Sequence, residues 1–84
     1  DIDQISKNMT VTIYPNPASQ YISVNTPESN SIQYEIINSQ GKVIKNGMVE
    51  DYNFTIDIKE LDKGMYYLKL KSEKHSGTEK FILQ

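Results

Sequence analysis

The sequence predicts an all-β domain, an antiparallel sandwich of about seven short strands. Apolar and polar residues alternate in short runs, as in half-buried strands. Turn residues separate these runs at the spacing of roughly 8–12 residues expected of a sandwich. No segment sustains the period of about 3.6 residues that an amphipathic helix requires. The 84 residues suffice for one domain and leave no room for two.

Residues 1–8 are polar except for Ile2 and Ile5 and read as a linker, which leaves 9–84 as the domain. Thr10–Tyr14 alternates, with Val11 and Ile13 on one face. Pro15-Asn16-Pro17 stops that run, because neither proline can donate to a ladder and each presets its own φ. Tyr21–Asn25 resumes, with Ile22 and Val24 inward. Thr26–Ser31 reads as a polar turn containing Pro27 and Asn30. Ile32, Tyr34 and Ile36 line one face of the next run, and Gln33 and Glu35 the other.

Asn38-Ser39-Gln40-Gly41 has the make-up of a hairpin loop, with Gly41 free to take a positive φ. Lys42–Asn46 returns as a short strand around Val43 and Ile44, and Gly47 marks a break or bulge. Phe54, Ile56 and Ile58 alternate with Thr55, Asp57 and Lys59. Ile58–Lys63 holds one helical turn at most, and Leu61–Gly64 is a turn with one apolar anchor. Met65–Lys71 places Tyr66, Leu68 and Leu70 on one face and Tyr67, Lys69 and Lys71 on the other. After a polar turn at Glu73–Gly77, Thr78–Gln84 forms the last strand around Phe81 and Leu83. Strands with one apolar and one polar face fit two antiparallel sheets packed face to face, an immunoglobulin-like sandwich.

Composition narrows the function classes. The chain has no cysteine, which removes disulfides and thiolate chemistry. It has no arginine, and its net charge is −2, so the basic stripe of a nucleic-acid binder is missing. The charge is uneven: residues 1–58 carry three lysines against seven acids, and residues 59–84 carry six lysines against four. No apolar run approaches the ~20 residues of a membrane-spanning helix, and no signal peptide opens the chain.

No active site, metal site or cofactor is expected. The only histidine, His75, falls in a polar turn and reads as solvated. Glu50, Asp51 and Asp57 lack the spacing of a calcium loop, and no glycine-rich phosphate cradle occurs. Asn8-Met9-Thr10 and Asn53-Phe54-Thr55 match a glycosylation sequon, which matters only in a eukaryotic secretory pathway.

Four local patterns follow one another in a fixed order. They are Ile13-Tyr14-Pro15-Asn16-Pro17-Ala18, Gly41-Lys42-Val43-Ile44, Leu61-Asp62-Lys63-Gly64-Met65-Tyr66-Tyr67-Leu68-Lys69-Leu70, and Lys80-Phe81-Ile82-Leu83-Gln84. As an ordered set they resemble the type A C-terminal sorting domain of type IX (Por) secretion substrates in Bacteroidetes, over about Val11 to Gln84. The family often ends in Lys or Arg, and Gln84 takes that place here.

The resemblance implies a sorting role for Pro15, Asn16, Pro17, Gly41, Lys42, Gly64, Tyr66, Leu68, Lys80, Phe81 and Gln84. It implies a cargo attached N-terminally, export to the periplasm, and recognition by the outer-membrane type IX apparatus. Cleavage by a sortase-like peptidase then follows, with surface attachment or release of the cargo. Each of these residues also has a plain packing role, so the functional weight rests on the set. Thr78–Gln84 is expected to form an exposed edge or a displaceable strand, available to the apparatus or to self-association. The competing expectations are a passive spacer or adhesion module of an extracellular enzyme, and a carbohydrate-binding module presenting a row of exposed tyrosines.

Overall fold

The computed structural model describes residues 7–8, 11–26, 31–73 and 75–84. Most of the expected linker, Pro27 and Asn30 of the expected turn, and Met9-Thr10 of the first sequon lie outside the described residues. The strands are β1 (Lys7–Asn8), β2 (Thr12–Tyr14), β3 (Tyr21–Asn25), β4 (Ile32–Asn38), β5 (Val43–Val49), β6 (Asn53–Asp57), β7 (Gly64–Lys71) and β8 (His75–Leu83). The seven expected strands are therefore present. The two-residue β1 is added to them, paired parallel to β8.

Two sheets form, one in the order β1-β8-β7-β4-β5 and one in the order β2-β3-β6. All other strand pairs are antiparallel. This is the immunoglobulin-like order, with β5 added beside β4 at the sheet edge. The inward faces are those that alternation requires. Ile22, Val24, Ile32, Ile36, Ile58, Leu68, Leu70 and Phe81 are completely buried between the sheets. Each such side chain contributes about 1.5–3 kcal/mol over its exposed state.

A second immunoglobulin-like feature follows from Tyr66. Its ring stacks on Phe81 with centroids 5.7 Å apart. Its hydroxyl donates to the backbone carbonyl of Asp62, four residues back. A tyrosine early in a strand that bonds back across the preceding corner is the tyrosine corner of such sandwiches. It pins the turn between β6 and β7. In that same stretch Leu61 N–H donates to Ile58 O at 3.1 Å, a four-residue turn and not a turn of helix.

The β4–β5 hairpin closes as the sequence predicts. Asn38 Oδ1 accepts the N–H groups of Gln40 (2.9 Å) and Lys42 (3.0 Å), and Gly41 takes φ +86°. Gly47 differs from expectation, because it neither breaks β5 nor forms a bulge. It pairs with Tyr34 across the ladder, and a Cβ there would meet the Tyr34 ring at 2.8 Å. The irregularity lies instead between Ile36 and Ile37, opposite Val43–Lys45. It turns Val43 outward, leaving it exposed while Ile44 is half-buried.

His75 also differs, since it opens β8 and is half-buried. Ser72 causes this by tightening the turn. Ser72 N–H donates to His75 O at 2.8 Å, and His75 N–H donates to Ser72 Oγ at 3.2 Å. Gly77 consequently sits in the ladder, opposite Leu70.

Candidate functional site

The four sequence patterns converge on one end of the sandwich. Asn38, at the end of β4, pairs with Tyr66 near the start of β7, and Tyr66 pairs with Phe81 near the end of β8. The same end therefore carries the Gly41-Lys42 turn, Gly64 and the last residues of β8. Gly64 takes φ +149°, a region that favours glycine, and lies opposite Leu83.

The Pro15–Ala18 segment completes this end by lying along β8. Asn16 Nδ2 donates to Lys80 O (3.3 Å), and Asn16 Oδ1 accepts Ile82 N–H (3.1 Å). Ala18 N–H donates to Ile82 O (2.7 Å), and Gln84 N–H donates to Ala18 O (2.8 Å). The prolines on either side of Asn16 have no N–H to offer. The Asn16 amide, with one donor and one acceptor, supplies what a strand neighbour would. The last strand, expected to be an exposed edge or a displaceable strand, is thus not an exposed edge over Lys80–Gln84. At its other end, β1 pairs with His75 and Ser76. The physical reason is that an uncovered terminal edge leaves backbone groups without partners.

The implied sorting residues divide by exposure. Pro15, Asn16, Pro17, Gly41, Lys42, Gly64, Lys80 and Gln84 are exposed. Tyr66, Leu68 and Phe81 are buried, and Leu68 sits mid-strand opposite Glu79, away from the gathered end. A partner can touch the first group, whereas the second group only shapes the end it touches. Tyr67 is exposed on the outer face as expected, Val43 is exposed although its strand was expected to centre on it, and Met65 and Ile82 are exposed apolar residues that the alternation did not assign. The signal for Met65, Tyr67 and Ile82 was present in Met65-Tyr66-Tyr67 and Phe81-Ile82-Leu83, apolar runs where a solvated strand should alternate.

The family model for the secretion system C-terminal sorting domain matches residues 12–84. The chain belongs to that family. The match begins with β2 and runs through β8, so it contains all four patterns and every strand but β1. As a type IX sorting domain the chain directs export toward the outer membrane and cell surface. No curated protein matches the chain.

Among solved structures, the sorting domain is similar to part of PorZ, described as an essential bacterial surface component of the type-IX secretion system of Porphyromonas gingivalis. The TM-score is 0.75 at 14% identity, over 88% of this chain and 11% of that one. That likeness supports the sandwich alone. Among the described residues no group of acids or histidines is placed to hold a metal ion, and no helix is long and apolar enough to cross a membrane.

Proposed function

We propose that the end of the sandwich built by Pro15–Ala18, Gly41-Lys42, Gly64 and Lys80–Gln84 is what the outer-membrane type IX apparatus reads. One observation carries this reading. Residues separated by more than sixty positions, Asn16 with Lys80 and Ile82, are joined by direct hydrogen bonds into a single surface. On this reading the domain has no catalytic residue of its own. A cargo precedes it, residues 1–8 hold the junction cut by a sortase-like peptidase, and the cargo ends on the surface or in the medium after transit through the periplasm.

The test fuses residues 1–84 to a periplasmic reporter in a host with the type IX apparatus. Export of the reporter is expected, with loss of export when Ile82–Gln84 is deleted. A reporter that stays periplasmic with the intact domain overturns the reading.

A carbohydrate-binding face keeps one supporting observation. Tyr14 and Tyr21 are 51% and 48% exposed on the outer face of the smaller sheet, among Thr12, Ser23 and Thr55. Tyrosine rings stack on sugar faces while hydroxyls bond their edges. Retardation of the purified chain in glycan-containing gels, abolished by Tyr14→Ala, is the outcome this reading requires.

A further inference from the structure

The outward face of the larger sheet follows from the registers. One row across it runs Val43–Ile37–Tyr67–Lys80, and beside that row Met65 pairs with Ile82. Val43, Met65, Tyr67 and Ile82 are 40%, 38%, 36% and 41% exposed, and Ile37 is half-buried. These five residues make a contiguous apolar strip at the end where the sorting patterns gather. Such strips on a soluble domain mark contact sites more often than scattered exposed residues do.

The next rows are polar apart from Met48, which is 58% exposed. Asn46–Glu35–Lys69–Thr78 and Met48–Gln33–Lys71–Ser76 cross the same face. Between them lies a depression of about 600 Å³, walled by Lys69 and Lys71 on one side and Asn46 and Met48 on the other, with Gln33 and Glu35 of β4 between the walls. The face therefore carries Lys69, Lys71 and Lys80 against Glu35, a balance of +2 on a chain whose net charge is −2.

We infer that this face is the docking surface for an acidic protein. An apolar patch on the partner lies on the Val43–Ile82 strip, and carboxylates of the partner face Lys69, Lys71 and Lys80. The inference rests on the sorting reading above and names the chemistry of the partner. Charge complementarity selects an acidic occupant, because rows of one sign across a contact steer and orient the opposite sign. Glu35 selects a protein over an anionic membrane. It stands opposite Lys69 on the same face, where a uniform sheet of phosphates would repel it and a protein can place a donor. The strip is also set into a sheet rather than borne on a protruding loop, so it has nothing to insert among acyl chains.

The reporter fusion tests this with four variants and one vesicle assay. Tyr67→Thr/Ile82→Thr and Lys69→Glu/Lys71→Glu are each expected to lower the exported fraction about tenfold or more, the effect of losing central contact residues. Lys69→Arg/Lys71→Arg is expected to restore the export lost on charge reversal, and the control Thr12→Glu/Thr55→Glu, on the opposite sheet, is expected to export as the parent does. Thermal melting of each purified chain checks the fold. If the apolar pair unfolds, the exposed lysine pair decides alone. Export of the charge-reversed chain at the parent level overturns the inference while leaving the sorting reading intact. Lysine-dependent flotation with phosphatidylglycerol vesicles overturns it in favour of a membrane. Retention of the unaltered fusion removes the sorting reading and the inference together.

Discussion

Tyr66 joins three kinds of interaction in one side chain: its buried ring, the stack on Phe81, and the hydroxyl bond across the corner to Asp62 O. Burial, and secondarily the Asp62 carboxylate, push the phenol above its ordinary ionisation range. Its neutral form is favoured in the folded state. The contribution is therefore complete below the unfolded value of about 10 and disappears as pH rises through the higher folded value. Tyr66→Phe is expected to cost about 1 kcal/mol at neutral pH, the net worth of one such bond. It should also flatten the loss of stability above about pH 10. Chemical denaturation of both chains from neutral to alkaline pH checks both effects, and parallel stability curves would remove Tyr66 as the group responsible.

Among the elements, β8 depends most on distant residues. β7 supplies its inner ladder, β1 meets its start, and Asn16 and Ala18 cover its end. Asn16→Ala removes two hydrogen bonds and leaves Lys80 O and Ile82 N–H to solvent. A loss of about 1–2 kcal/mol is expected, with faster hydrogen exchange at the Ile82 amide. Asn16→Asp keeps the acceptor for Ile82 N–H and loses the donor to Lys80 O, so the Ile82 amide should stay protected. Equal exchange in both variants would mean that Asn16 does not hold this edge.

The strands themselves were legible, because a period of two punctuated by Pro, Gly and Asn is a local pattern. The inward sets Ile22/Val24, Phe54/Ile56/Ile58 and Tyr66/Leu68/Leu70 follow from it. Three features were not legible. Gly47 is small because Tyr34 lies over it, a contact set by cross-strand register. Val43 points outward because of the irregularity opposite Ile36 and Ile37. The cover on β8 joins residues whose separation leaves no periodic trace.

At the scale of the whole molecule, a domain this small buries a modest share of its surface, and its margin is a few kcal/mol. Removing Ile82–Gln84 deletes the buried Leu83 and the partners of Ala18 and Gly64. A cost of about 2–5 kcal/mol for the lost leucine alone is comparable with that margin. The truncated chain is therefore expected to melt well below the parent in a calorimetric scan, and melting at the parent temperature would show the last residues to be packed independently of the rest. This sets a condition on secretion tests, since a truncation that abolishes export must be compared with Asn16→Asp and Lys80→Glu, which leave the core intact.

The bond from Asn16 to Ile82 also orders events in time. A polypeptide made from its N-terminus offers the β2–β3 connection nothing to hold until the closing residues have left the ribosome. The layers therefore close only once β8 is in place, so the domain becomes rigid late in its own synthesis.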